Sequence, residues 1–589
     1  MHRTVRLACI GFALGVLPFP TAGRQQTGVT ETRIGPSLKV GQYSVSPDGG
    51  HLAASGAHGS REVVFLDGVA GPDFDQAATF AGGLDRDDIA WSPDGTHSAY
   101  TGRLGAQLVA VVDGKVAFTI MENSQTGATM GIDPYNNGMG NRSRSFLFSP
   151  SGAHYVVVAT ESGGVTHAFL DGVKGPLLGQ IDPGQFGFAA DKLIYAGQTP
   201  DTKWHVFTNT TPGPGYDQVT GLVFSSNRQH YAYIGRSGAN SVVVTDGIAG
   251  TPKPNVVTSS GLHNLVIASN GRVGYQGYSG KGPYTEQLYI GDQLVAPETV
   301  AFAGPPARNG IAPVIYLVFS PDGSKYAYVK PVPGGVAAVI DGKTSISYDA
   351  VGQMAFGPDN KRAFFVGMKK PVGNFVVVDG QEMDMQNTVR NFVWSADGSR
   401  FGYEAYLASS GFSFVVDGKS SPRYVNLIGN SLAFSTDGKH SVWAGCTNYS
   451  KCELVVDGTA TPLPSVGDFT SRQRPQVLPP PVLYGPDGRL AYVYPKSDGT
   501  NTHVVMLGGQ EIARGTTLEF PMFSPDGKHF ALINWAGKGY QVMVDGKPGP
   551  IYEEIFEANP NVVRFLDAHT LRLLAVKGGQ VYRVTIPVP

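Results

Sequence analysis

Six histidines of this chain recur at one place in a repeated pattern: His51, His97, His154, His230, His440 and His529. Each stands two residues past a turn glycine or its equivalent, where other repeats carry Lys325, Arg362 or Arg400. Imidazole is the commonest metal-ligating side chain, so a metal centre is the first chemistry to weigh. A zinc site needs its nitrogens about 2 Å from the ion, whereas packed sheets lie about 10 Å apart. Since each histidine belongs to a different repeat, equivalent positions do not converge on one ion. They are expected to be polar residues that open a strand. The carboxylates follow the same rule. Asp48, Asp94, Asp322, Asp359, Asp397, Asp437, Asp487 and Asp526 lie in one kind of turn. Asp67, Asp113, Asp171, Asp246, Asp341, Asp379, Asp417, Asp457 and Asp545 each precede a glycine in a second kind. Aspartate in such turns bonds its own backbone and tolerates unusual φ. No catalytic, cofactor-binding or metal-binding residue is therefore assigned, and no cofactor is expected.

The elements behind these positions are repeats. Ser-Pro-Asp-Gly stands at 46–49, 92–95, 320–323 and 524–527, with near copies at 149–152, 357–360, 395–398, 435–438 and 485–488. Eroded units fit around 188–191, 224–227, 267–271 and 565–570. A period of about forty residues names an architecture before any residue is read singly. Within 314–351, four β-branched or aromatic segments alternate with turn chemistry, which is the strand signature. Proline suits the fixed φ of the first turn, and Asp-Gly favours a tight I′ hairpin. A third signal is an aromatic residue followed by Asp near the fourth strand, as in Phe74-Asp75, Tyr216-Asp217 and Tyr348-Asp349. Four antiparallel strands per forty residues make a propeller blade. The chain holds about thirteen. Single rings usually hold four to eight blades, so the expected fold is all-β, with tandem β-propellers of six blades (29–305) and seven (306–589). The Pro/Gly-rich stretch 302–313 is the first choice of linker, with a seven-then-six split near Tyr348 the alternative, and residues 30–34 are expected to close the first or the second ring as a fourth strand.

A propeller repeat with Ser-Pro-Asp-Gly after its first strand resembles the WD-repeat-like family of TolB-type propellers. It is similar also to the propeller domains of prolyl-oligopeptidase-type peptidases. The resemblance spans nearly all of the chain after the first 23 residues and implies the propeller fold. TolB-type proteins place a small α/β domain before the propeller, and here blade material follows the first residues almost directly. The peptidases carry a Gly-x-Ser-x-Gly nucleophile elbow, which this sequence lacks. Neither family's activity is carried over.

Residues 1–23 read as a signal peptide, with Arg3 and Arg6 before the apolar stretch 7–17 and cleavage near Ala22 or Gly23. That stretch is too short to span a bilayer, and no membrane span is expected. An extracytoplasmic location, periplasmic or secreted, follows. Cys446 and Cys452 flank one hairpin and are expected to form a disulfide, in keeping with export. A net charge of −2 gives no pull toward nucleic acid.

Function is expected where repeats differ. The two kinds of turn share one face, and length variation collects in loops on the other, where binding residues concentrate. The longest insertion, 119–145, carries Asp133, Tyr135, Asn136, Arg142 and Arg144; Arg308, Arg472 and Arg474 stand in two further loops. Arginine suits carboxylate or phosphate. The leading reading is an exported, non-enzymatic scaffold that binds a protein or surface ligand through these loops. The alternative is a hydrolase or lyase with a metal or acidic site in a central channel.

Overall fold

The computed structural model describes residues 28–36, 43–77, 89–121, 129–130, 146–161, 165–254, 265–279, 285–296, 317–407, 411–428, 431–448, 451–463, 482–495, 502–516, 518–556 and 563–589. These residues contain strands and turns and no helix. They form thirteen antiparallel sheets, arranged as a β-propeller. In chain order the blades are blade 1 (43–74), blade 2 (76–121), blade 3 (129–174), blade 4 (180–212), blade 5 (218–254), blade 6 (265–296) and blade 7 (318–344). Blade 8 (350–382), blade 9 (388–420), blade 10 (426–462), blade 11 (482–515), blade 12 (518–552) and blade 13 (554–587) complete the set.

Blade 9 shows the plan: strands Thr388–Trp394, Phe401–Leu407, Gly411–Val416 and Lys419–Ser420 pair in sequence order. The Asp-Gly turn before the last strand is the expected I′ type. Its aspartates sit at φ of 47–52°, as at Asp67, Asp379 and Asp417, and the glycine after Asp67 sits at 80°. The fourth strand is shorter and earlier than the sequence suggests. In blade 7 it is Lys343–Thr344, and Tyr348 returns only as an isolated bridge to Val336. Two-residue edge strands leave little backbone free to pair with another chain, one way propellers keep their rims from aggregating.

Thr30–Pro36 supplies the outermost strand of blade 13. It runs antiparallel to Gln580–Pro587, with Thr30 opposite Thr585 and Pro36 opposite Gln580. The two ends of the described chain are thus held in one sheet.

The core lies between blades. Each sheet buries its two faces against its neighbours in sequence, as the repeat argument requires. Phe74, Tyr100 and Val111 fill the space between blades 1 and 2. Tyr403, Val376 and Phe364 fill that between blades 8 and 9. Leu288 and Ala296 of blade 6 meet Tyr328 and Val339 of blade 7. Blade 13 meets blade 1 through Leu574, Val576, Ile34 and Leu52. The expected linker 302–313 lies outside the described residues, and the packing on either side of it is continuous.

Candidate binding faces

The uniform face is built from a network that repeats in blade after blade. In blade 2 the Ser92 hydroxyl donates to Asp94 Oδ1 (2.5 Å) and accepts the His97 N–H (2.9 Å). His97 Nδ1 lies 2.8 Å from Asp113 Oδ2, while Asp113 Oδ1 accepts the Ser98 N–H (2.9 Å). All six recurrent histidines bond in this way to the Asp-Gly aspartate of their own blade, at 2.6–2.8 Å. The first turn and the Asp-Gly turn are therefore adjacent, which puts both on one face. Each histidine thereby fastens the first turn to the third strand's end. The constant spacing of 16 or 17 residues to that aspartate was the available signal for the pairing.

Where arginine replaces histidine, the side chain reaches further. Arg362 Nε donates to Asp379 Oδ2 (2.8 Å), and its Nη1 donates to Ser399 O of the next blade (2.7 Å). Its guanidinium lies 5.3 Å from the Trp394 ring centroid. Arg400 repeats the arrangement with Asp417, Lys439 O and the Phe434 ring. Arginine thus staples two blades; histidine braces one.

Protonation on this face is settled by the turns themselves. Asp437 and Asp526 are lowered to about 2, chiefly by the hydroxyls of Ser435 and Ser524. Asp94, Asp322 and Asp397 are lowered chiefly by the hydroxyls of Ser92, Ser320 and Ser395. Such carboxylates stay ionised at neutral pH and make poor general acids.

At the joint of blades 13 and 1, Arg572 Nη2 donates to both Asp48 Oδ2 and Asp48 O (2.6 Å each). Arg583 Nη2 donates to Asp67 Oδ2 (2.7 Å) and its Nε to Gly50 O (2.5 Å). Next to this seam, within blade 13, Glu31 of the N-terminal strand accepts from Lys577 Nζ (2.8 Å) and also from Tyr552 Oη of blade 12 (3.0 Å). This seam is the most ionic blade joint described.

The innermost strands carry a feature that pattern reading missed. In blades 4, 5, 8, 9 and 12 the register shifts within that strand, between Ile181 and Phe186, Thr220 and Val223, Gly352 and Ala355, Arg390 and Val393, and Glu519 and Met522. Gln353, Asn391 and Phe520 lie at these bulges with φ of 40–50°. Positive φ is costly for such side chains, and bulges re-aim side chains; Gln353, Arg390 and Asn391 are exposed. The aromatic-Asp signal marks where blades 2, 5 and 8 begin, at Phe74-Asp75, Tyr216-Asp217 and Tyr348-Asp349. The Tyr348 ring packs over Gly367, where an added Cβ would lie 2.4 Å from the ring, and Asp349 accepts the Lys370 N–H (2.6 Å).

Cys446 and Cys452 face each other across their hairpin and are joined by a disulfide. The candidate residues Asp133, Tyr135, Asn136, Arg142, Arg144, Arg308, Arg472 and Arg474 lie outside the described residues, as does the signal-like segment 1–23. Among the described residues no cluster of His, Cys, Asp and Glu could hold a metal ion, and no helix is long and apolar enough to cross a membrane.

These strands and joints define a β-propeller of thirteen blades. No family model matches the chain, and no curated protein does. Among solved structures it is similar to TolB from Acinetobacter baumannii, at 13% identity and a TM-score of 0.19, over 47% of this chain and 77% of that one. At that overlap the likeness adds nothing to the architecture read from the blades.

Proposed function

We propose that the chain is an exported, non-enzymatic propeller that binds a protein or surface ligand through the loops opposite the Ser-Pro-Asp-Gly turns. One observation carries this reading: the recurrent histidines and aspartates are bonded to one another within the blades, so the repeated polar residues serve the fold. Selective chemistry is then left to the positions where repeats differ, among them Arg142, Arg144, Arg308, Arg472 and Arg474. Arginine in such loops favours a carboxylate- or phosphate-bearing partner surface. The Cys446–Cys452 disulfide agrees with an oxidising compartment, as does the signal-like start of the sequence.

The test is a crosslinking pull-down from the extracytoplasmic fraction, with the intact chain and with a chain lacking 119–145. The expected outcome is a partner recovered by the intact chain and lost on loop deletion, while Lys528→Ala on the turn face retains it. Retention of the same partner after loop deletion would sink the reading. Mass measurement of the purified chain checks cleavage near Ala22 or Gly23, and an uncleaved N-terminus would remove the export claim.

A further inference from the structure

The joint between blades 1 and 2 holds an open cavity of about 170 Å³, lined by His51, Leu52, Leu66, Asp67, Trp91, Thr96, Ser98 and Asp113. Its shape has a cause in the repeat. In the joint of blades 8 and 9, the equivalent space is filled by Arg362, which lies against Asp379, Ser399 O, the Trp394 ring and the Phe401 ring. In the joint of blades 9 and 10, Arg400 fills it, against Asp417, Lys439 O, the Phe434 ring and, at 3.4 Å, the Ser441 hydroxyl. Position for position, these groups correspond to Asp67, Thr96, Trp91 and Ser98 in the joint of blades 1 and 2.

Two substitutions leave that joint unfilled. His51 stands where Arg362 and Arg400 stand, and its shorter ring reaches Asp67 (2.7 Å) but only approaches Trp91, with ring centroids 6.4 Å apart. Ser98 begins the next strand, where blade 9 has Phe401 and blade 3 has Tyr155. Blade 10 also has a serine there, Ser441, but Arg400 covers it. The small residue and the short one coincide at the joint of blades 1 and 2.

We propose that this joint binds a guanidinium group, the arginine side chain of a peptide or protein partner, in the place that Arg362 and Arg400 occupy in their own joints. The cavity supplies an indole face for the planar cation, a carbonyl at Thr96, and two carboxylates, Asp67 and Asp113. One guanidinium already faces it: Arg583 Nη2 lies 2.7 Å from Asp67 Oδ2 and 3.4 Å from His51 Nδ1. Asp113 is bonded to His97 (2.8 Å). Two carboxylates against one guanidinium leave room for a second cation. A planar fork suits the arrangement better than an ammonium. Among the described residues, the ammonium of Lys325, at the corresponding place in blade 7, reaches Lys361 O at 3.5 Å. The site lies on the turn face and does not depend on the loop-face reading above.

The test is titration of the purified full chain with acetyl-Gly-Arg-Gly-amide and, in parallel, acetyl-Gly-Lys-Gly-amide, followed by calorimetry and by the tryptophan fluorescence change that is lost in Trp91→Phe. The expected result is saturable binding of the arginine peptide, with a Kd on the order of 1 mM, and at least fivefold weaker binding of the lysine peptide. His51→Arg puts the chain's own guanidinium into the cavity and should weaken the arginine peptide at least tenfold. Thr96→Lys, which copies Lys361 and Lys439 of other repeats, adds a competing charge at the rim and should weaken it severalfold with an unchanged melting temperature. No saturable binding by the unmodified chain, equal binding of both peptides, or unchanged binding in both variants would each overturn the proposal.

Discussion

The joints at Arg362 and Arg400 and the joint at His51 are built from the same repeat position, yet they hold their blades together differently. Arg362 spends one edge of its guanidinium on its own blade's Asp379 and the other on Ser399 O of the next blade. His51 bonds Asp67 of its own blade, and the contact to blade 2 falls to the Trp91 N–H bond to Ser44 Oγ (3.0 Å) and to apolar packing around Phe74, Tyr100 and Val111. A repeat can therefore keep one backbone plan while a single side chain at this position bonds either both blades or its own alone. The seam of blades 13 and 1 belongs with the arginine joints, since Arg572 and Arg583 both cross it. It borders the sheet in which the first and last described strands, Thr30–Pro36 and Gln580–Pro587, pair with each other.

The largest test of this comparison is to cut the chain where blades 6 and 7 meet. Residues 29–305 and 306–589, made separately, each lose the packing of Leu288 and Ala296 on Tyr328 and Val339. The first half also takes away the strand Thr30–Pro36 that completes blade 13. Neither half is expected to show a sharp unfolding transition by circular dichroism. Two halves that each unfold cooperatively would favour the division into six-blade and seven-blade rings.

Next is the seam. Arg572 and Asp48 are only 16% and 14% exposed, so Arg572→Ala leaves a largely buried carboxylate without its partner. The expected cost is about 3 kcal/mol, read as a lower urea midpoint. The pair also sets an acid limit. Burial pushes the Asp48 carboxyl up, but the Ser46 hydroxyl, the Gly50 N–H and Arg572 together hold it below its ordinary 3.8. A carboxylate with a depressed native pKa stabilises fully above its unfolded pKa and loses that contribution as pH falls through the native value. The seam should hold at pH 5 and fail only below about pH 4. In Asp48→Asn that acid-sensitive part of the unfolding curve should shrink. An acid profile unchanged by Asp48→Asn would remove Asp48 from the account.

Within the arginine class, Arg362→Ala removes an ion pair, a hydrogen bond and a contact with Trp394. The pair is partly exposed, at 26% and 44%, so most of the loss should come from the bond and ring contact. About 1–2 kcal/mol is expected. Arg362→Lys should recover little of it, because an ammonium cannot serve both blades. Full rescue by lysine would reduce the staple to simple charge.

Much of the fold was legible because turns carry chemistry. The Ser-Pro-Asp-Gly and Asp-Gly positions mark the two turns of each blade, and even eroded copies such as 224–227 and 267–271 fall at first turns. The reading of the histidines as part of the repeat also rested on position, and their bonds to the Asp-Gly aspartates give it a physical cause. Less was legible where the determinant is spatial. No local signal in Gly352-Gln-Met-Ala355 announces a bulge, because its cause is how the innermost strand meets its neighbour. The cavity at Trp91 was equally hidden: it arises from His51 and Ser98, which are 47 residues apart and acquire meaning only when two blades stack.

The smallest effect is expected at an imidazole joint. His97 and Asp113 are 46% and 44% exposed, and an exposed pair of this kind contributes about 0–1 kcal/mol. His97→Ala keeps the backbone bonds that matter most, since Ser92 Oγ still accepts the N–H of residue 97 and Asp113 Oδ1 still accepts that of Ser98. The hydrophobic contacts around Phe118, Phe169 and Val157 between blades 2 and 3 are untouched. The urea midpoint should therefore move much less than in Arg362→Ala, and amide exchange should quicken only near the Asp113 turn. If His97→Ala instead cost as much as Arg362→Ala, histidine would be bracing the neighbouring blade through a path that its single bond to Asp113 does not supply. The contrast between the two kinds of joint would then fail.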